Sequence, residues 1–352
     1  MKPTPEPDGR DPDPSSILFQ TPDKAVVLLD VPRSLEESQV LSGQQPVSRI
    51  YSDSSPAVPL PTPEPKQGLN DSAASAQSQG TAVADLMTGA AVRNALQQLA
   101  DHYSGPYHLP RLVSGPGSHV PAAGAESPSC PVVVPPGARY LRGSIEDMRQ
   151  TFLDTAPKFD LIVLDPPWPN RSARRRRRKG CYATADTMRE MSELLAAIPV
   201  AARISPDGLV AIWITNKPGV RQLLTSAAGV FAAWGLELVT EWTWLKIAAS
   251  GEPLYDVDSL WRKPWETLLI AKPRRSRPPR ALGPKVVVAV PDVHSRKPNL
   301  RPLFCEVLGN GYVGLEVFAR NLTAGWWSWG DEVLKFQEVQ YWQPATGQPM
   351  ES

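Results

Sequence analysis

Cysteine is close to absent. The 352 residues hold three, Cys130, Cys181 and Cys305, with no paired spacing. That excludes a disulfide framework and points to a reducing compartment. Histidine is almost as scarce, at four residues, so no metal centre is expected. The chain lacks any run of 18 apolar residues and any signal-like opening stretch. A soluble intracellular protein is therefore expected, nuclear or shared with the cytoplasm, with no membrane partner. No internal repeat is visible, and no spacing demands a second subunit, so a monomer without an obligate protein partner is expected. A formal net charge of +1 excludes no partner class by itself. The cations are clumped, however, at Arg174–Lys179 and again at Lys272–Arg280.

Proline is abundant and unevenly placed. Of 39 prolines, 21 precede residue 138, and ten of the eleven tryptophans follow residue 200. The first third is therefore expected to be partly disordered, over residues 1–16 and 53–81 in particular, because such composition buries too little apolar surface to offset ordering entropy. Two ordered pieces are expected within it. Residues 17–45 read as strand, turn, strand near Ala25–Leu29 and a helix started near Ser34; residues 83–103 read as an amphipathic helix with Val92, Leu96, Leu99 and Tyr103 on one face. Both are expected to be accessory elements. Residues 138–343 form the expected main domain, with a tail over 344–352. Strands are expected at Arg139–Leu141, Leu161–Leu164, Leu209–Ile214, Leu236–Ile247, Glu266–Ile270, Val286–Val290 and Gly314–Phe318. Helices are expected over Thr187–Ile198, over Val220–Trp234 and after Pro298. Near-continuous apolar strands between helices imply an α/β fold with a mostly parallel sheet covered on both faces. Ligands in such folds lie beyond the carboxyl ends of the strands.

Asp165 stands at such an end, in "FDLIVLDPPW". Two successive prolines stop the ladder and hold the backbone extended. The carbonyl before Pro167 is then left to accept an external hydrogen bond beside the Asp165 carboxylate, and Trp168 adds a flat wall on which a base can stack. Two acceptors beside an aromatic surface suit an amino group on a planar ring. Such an amine is a poor nucleophile; acceptors around its hydrogens favour a more tetrahedral nitrogen. Orientation toward a reactive methyl then lowers the barrier by roughly 7–11 kcal/mol.

"DPPW" after an apolar strand resembles the MT-A70 family of adenine-N6 methyltransferases. The likeness extends to "WITN", "EWTWLKIAASGE", "KPWETLLI", "SRKPNL", "LEVFARN" and "GWWSWGDEVLKFQ", in the family's order over about residues 138–342, and is greatest toward the methyltransferase-like protein 4 branch. The resemblance implies a Rossmann-like fold that uses S-adenosylmethionine. It implies that Asp165 and the Pro166–Pro167 backbone hold the target amine, with Trp168 bordering the base. Substrate contacts are implied for Asn170, Asn216, Lys263 and Glu266. Donor contacts are implied for Asp165, Lys297, Arg320, Asn321, Asp331 and Glu332, with the donor's adenine near Ser144 and Ile145. Three positions depart from the family pattern: Ser144 stands where aspartate is common, with Asp147 close by, Asp331 where asparagine is usual, and Pro169 where an acid is usual.

Arg174, Arg175 and the cations after them read either as a phosphate clamp beside the target or as a nuclear-import address. Nucleic acid is the expected partner, and a single-stranded or flipped-out adenine suits RNA and DNA alike. RNA is favoured because the branch resembled acts on 2′-O-methyladenosine in small nuclear RNA. A DNA adenine methyltransferase and a non-catalytic RNA-binding scaffold are the competing readings, though an inactive relative would be expected to have lost part of the motif.

Overall fold

The computed structural model describes residues 15–62, 79–113, 131–169, 187–217, 219–259 and 262–345. The apolar run of β6 (Phe159–Leu164) sits near the middle of a ten-stranded sheet. Its other strands are β1 (Ile17–Gln20), β2 (Val26–Leu29), β5 (Arg139–Arg142), β7 (Ile204–Ile214), β8 (Leu236–Lys246), β9 (Trp265–Pro273), β10 (Lys285–Ala289), β11 (Gly314–Val317) and β12 (Trp327–Gly330), in the spatial order β1-β2-β10-β8-β9-β7-β6-β11-β12-β5. Eight strands run one way, while β1 and β9 run against them. The expected mostly parallel α/β sheet is present, with antiparallel β9 set inside it.

Both faces are covered, which is why β6 is unbroken apolar from Leu161 to Leu164, between Asp160 and Asp165. Ile162 and Leu164 pack with α3 (Ile145–Thr155), α4 (Met188–Ala197), α6 (Val220–Thr225) and α7 (Val230–Ala233), through Phe152, Met191, Leu195, Leu224 and Phe231. Between α4 and β7 lies the single turn α5 (Val200–Arg203). Leu161 and Val163 point the other way, toward a core shared with α1 (Val31–Ser38) and α8 (Arg301–Leu308). The helix expected over Val220–Trp234 is broken in two. A Cβ at Gly229 would lie 2.7 Å from the Leu223 carbonyl, so the chain turns there on a residue without one.

The amino-terminal elements are not peripheral. β2 pairs in parallel with β10 and is fully buried, so residues 17–29 extend the main sheet. α1 begins at Val31, earlier than Ser34, because Asp30 caps it through the Arg33 N–H at 2.8 Å and Pro32 suits its first turn. α2 (Gln79–His102) buries Val92, Ala95 and Leu99 against β8 and β10. A small second sheet joins β3 (Ser48–Ser52) to β4 (Leu112–Val113) and to β13 (Trp342–Pro344). Residues 1–14 and 63–78 lie outside the described residues. Residues 53–62, expected to be disordered, are tied down instead: the Ala249 N–H donates to Pro56 O at 2.8 Å and the Leu60 N–H to Leu254 O at 2.9 Å. Among the described residues, no helix is long and apolar enough to cross a membrane.

Candidate active site

Because eight strands share a direction, their carboxyl ends form one rim, joined there by the amino end of β9. Asp165 follows β6, Asn216 follows β7, and Lys246 ends β8. Glu266 opens β9, Arg320 and Asn321 follow β11, Asp331 and Glu332 follow β12, and Ser144 follows β5. Lys297 reaches the same rim from the loop between β10 and α8.

Lys297 is the centre of the charge arrangement. Its ammonium donates to both oxygens of Asp165 at 3.0 Å and lies 3.2 Å from Glu266. Glu266 also accepts from Lys246 at 2.5 Å. Two acids and two lysines therefore form one neutral network, each member a quarter exposed or less. Burial by itself would raise the Glu266 carboxyl, but Lys297 and Lys246 hold it down at about 2. Burial likewise opposes the charge on Lys297, and the Asp165 and Glu266 carboxylates outweigh it and raise its pKa. Aromatic rings form the floor: Lys297 lies 5.8 Å from the Trp213 ring and Lys246 4.5 Å from that of Trp244.

The loop bearing Lys297 is held by neighbours that sequence reasoning missed. Arg296 is buried, donates to Tyr51 O at 2.9 Å and to Asp292 at 2.5 Å, and stacks on Phe336. Asn299 receives support from two directions: its N–H donates to Ser34 Oγ at 3.0 Å and its side chain to Thr323 Oγ1 at 2.8 Å. Ser34 belongs to α1, so the amino-terminal region braces the loop bearing Lys297 directly. No periodicity or motif signals the contacts with Tyr51 and Ser34, which lie 245 and 265 residues away in the sequence.

The DPPW segment differs from expectation in two respects. The Pro166 carbonyl accepts from the Trp168 N–H at 2.8 Å, so one of its two lone pairs is already used. Trp168 is 6% exposed, packs in the core, and gives its indole N–H to Trp213 O at 2.7 Å. It fixes the loop as a buried post; it is not an open stacking surface. Lys217, also unforeseen, donates to Pro169 O at 2.9 Å. Asn216 ties β7 to β9 through Trp265 O at 2.9 Å, and Lys263 points away to Val257 O at 3.4 Å. Neither joins the network. Asn170, Arg174 and Arg175 lie outside the described residues.

Glu316, also missed, stands on β11 and lines a small cavity with Val163, Trp213, Lys297, Asn299 and Asn321. Burial, followed by the Asp165 charge, raises its carboxyl to about 7 despite Arg320 and Lys297. A period-two pattern counts this position as one more inward strand residue, and the acid inside an apolar strand is the one signal that sets it apart.

The β5–β12 side of the rim is assembled from short-range contacts. Ser144 caps α3 by accepting from the Asp147 N–H at 3.0 Å, and its hydroxyl donates to the Asp147 carboxylate at 2.7 Å. Ile145 is a core side chain, leaving only its backbone for a ligand. A Cβ on Gly330 would sit 3.1 Å from the Ala319 carbonyl, so a residue without one lets the ends of β11 and β12 approach. That closeness brings Glu332 to Arg320 at 3.4 Å. Arg320 also donates to Ser295 O at 3.1 Å. Asp331 is exposed, and its carboxyl is raised by partial burial and then by the charge of Asp147. Two neighbouring acids at a helix start fit a ligand that brings hydroxyl donors, as a ribose does.

The MT-A70 family profile matches residues 159–332, from the start of β6 through the acids after β12. An N6-methyladenosine RNA methyltransferase, MTA1 of Cryphonectria parasitica, is 51% identical over 335 residues, covering 93% of this chain and 94% of its own. The N(6)-adenine-specific methyltransferase METTL4 of Mus musculus is 34% identical, covering 59% and 44% respectively. A DNA N6-methyl methyltransferase of Caenorhabditis elegans is 34% identical, covering 58% and 53%. With the family motif at the strand rim and identity sustained over nearly the whole chain, this protein belongs to the MT-A70 family and is an adenine-N6 methyltransferase.

Proposed function

We propose that the protein methylates the N6 amine of adenosine in RNA, with Asp165 as the group that holds the amine and S-adenosylmethionine as donor. The observation that carries the reading is the grip of Lys297 on both oxygens of Asp165, within a network that also fixes Glu266. An ionised carboxylate oriented by a neighbouring ammonium still has lone pairs for an incoming N–H. The second lone pair of the Pro166 carbonyl is the other acceptor. Together they orient the amine so that its own lone pair faces away from the two hydrogen bonds.

S-adenosylmethionine, when bound, supplies a methyl on a sulfonium and leaves as a neutral thioether. Ser144, Asp147, Asp331 and the Ile145 backbone suit its adenosine, and Arg320, Asn321 and Glu332 flank the path back to Asp165. The nitrogen becomes cationic on gaining the methyl and then releases a proton; Asp165 is the nearest anion to receive it or to pass it to water. Lys297 keeps Asp165 in place throughout. Little general-base strength is required, because the proton leaves an already cationic nitrogen.

RNA is favoured over DNA because the relative matched over almost the full chain carries an RNA methyltransferase name, whereas the one with a DNA name is matched over little more than half. The test uses purified full chain, methyl-labelled donor, and matched RNA and DNA oligonucleotides, with the target adenosine unmodified or 2′-O-methylated, followed by nucleoside mass spectrometry. N6-methyladenosine in the RNA arm, lost in Asp165→Ala, is expected. Product in DNA alone would reassign the polymer. Donor binding with no product on either polymer would overturn the enzymatic role of Asp165.

A further inference from the structure

β9 joins the two ends of the molecule. It begins at the catalytic rim with Trp265 and Glu266 and ends at the opposite rim with Pro273. The loop that follows carries Arg274, Arg275, Arg277 and Arg280, all exposed, and no acid occurs between Glu266 and Asp292. Arginines in a free loop would be a solvated charge run. This loop is tied down. Lys272 donates to Ser276 O at 2.8 Å, the Ser276 N–H to Pro273 O at 3.0 Å, and the Leu282 N–H to Pro279 O at 3.0 Å. Arg274 spends its Nε on Leu236 O at 3.3 Å and its N–H on Gly235 O at 3.1 Å. Pro278 and Pro279 stiffen the remainder. Among the described residues, Arg275, Arg277 and Arg280 make no ion pair. Three guanidiniums on a tied-down backbone thus face solvent, and Glu237 beside the loop is already paired with Lys272; at the rim, Lys246, Lys297 and Arg320 are each matched by an acid.

We propose that this loop is a second contact for the nucleic-acid substrate, binding the phosphate backbone at a distance from the target adenine. The proposal rests on the reading of the substrate as a polymer. At about 3.3 Å per residue, Pro273, where the strand ends and the loop begins, lies roughly 23 Å along β9 from Glu266. A helical nucleic acid spans that with on the order of seven base steps at 3.4 Å each. The loop therefore suits a substrate with a folded stem and is out of reach of a short oligonucleotide whose adenine occupies the Asp165 site. Guanidinium forks match phosphate oxygens in pairs, and each neutralised phosphate releases counterions, so the contact carries a salt signature.

The experiment compares wild type with the triple variant Arg275→Gln, Arg277→Gln, Arg280→Gln, leaving Arg274 for its structural bonds. Two RNAs carry the same target adenosine: a stem-loop of about thirty nucleotides and a five-nucleotide single strand. Dissociation constants are measured by fluorescence anisotropy across a salt series, and KM and kcat by methyl transfer. For the stem-loop, the expected result is about a tenfold weaker Kd and higher KM at physiological salt. The slope of log K against log salt should shrink by about 2, kcat should be unchanged, and the short strand should show no effect. Lysine at the three positions should restore most of the binding. Unchanged stem-loop affinity and slope, or an equal loss on the short strand, overturns the proposal. Because Kd and slope need no turnover, they decide it even when neither RNA is methylated, an outcome that would count against the enzymatic reading alone.

Discussion

The two halves of the catalytic rim are built differently. Around β6, β8 and β9, Asp165, Lys246, Glu266 and Lys297 come from four segments up to 132 residues apart and share one neutral network. Around β5 and β12, Ser144 binds Asp147 three residues on, and Asp331 stands exposed. In the first half, removing one group leaves a buried charge of opposite sign; in the second, it leaves a group that water can reach. Of the three departures from the pattern of the family resembled, Ser144 and Asp331 fall in the second half, and Pro169 follows the DPPW segment in the first without joining its charge network.

The largest expected effect that tests this contrast is at Asp165. Asp165→Ala should lower kcat/KM for RNA methylation by about 10³-fold, in line with the loss of a preorganised group at a reacting centre. Initial rates at saturating donor measure it. Next is Lys297→Met, which strips Asp165 of its ammonium and Glu266 of one of two. A loss of about 10²-fold in kcat is expected, together with a stability loss of about 2 kcal/mol, below the range for a fully buried pair because these groups are partly exposed. A pH signature accompanies it. Glu266 is held at about 2 against an ordinary 4.5, so its stabilisation is present above pH 4.5 and is lost as pH falls toward 2. Without Lys297 the Glu266 carboxyl rises, and acid unfolding should begin at a higher pH. An unchanged acid transition in this variant would break the idea of a shared network.

Glu316 gives a stability effect of opposite sign, with no comparable loss of kcat beside it. Its carboxyl is raised from 4.5 to about 7, so the native state favours the protonated form, and stability falls as pH rises from about 4.5 to 7. Glu316→Gln should match wild type near pH 4.5 and exceed it at pH 8 by on the order of 2 kcal/mol. Thermal melts at the two pH values read the difference. Equal melting shifts at both would mean that the side chain is not titrating there.

How much of this was legible in sequence follows the same division. The strand carrying DPPW, its flanking strands and most helices were readable, because hydrophobic period and proline placement are local signals. The location of Asp165, Glu266 and Lys297 on one rim followed from the motif order and the resemblance. What could not be read was the pairing across long sequence separation. Ser34 bracing Asn299 and Tyr51 accepting from Arg296 make a region expected to be accessory part of the catalytic support. Trp168 departs from the expectation for a related reason. The tetrapeptide shows a tryptophan after a rigid turn, but only the Trp213 carbonyl decides whether its ring faces the cleft or the core.

The smallest expected effects belong to the β5–β12 half, and they sharpen the contrast most. Ser144→Ala removes the α3 cap and should cost about 1 kcal/mol in stability. Its effect on donor affinity should be minor, because Asp147 and the helix amides remain. Asp331→Asn restores the residue usual in the family. Partial burial and Asp147 both disfavour the charged carboxylate, so replacing it with an amide removes a small repulsion. Solvent screens that repulsion, and the gain should be no more than a few tenths of a kcal/mol near neutral pH, shrinking as pH falls and Asp331 protonates. The amide also adds a donor where the acid could only accept. Donor dissociation constants measured by calorimetry should therefore move by less than about threefold, in contrast to the kcat loss expected for Lys297→Met. A change of 10²-fold at Asp331 would place the tight coupling on both halves of the rim and remove the distinction.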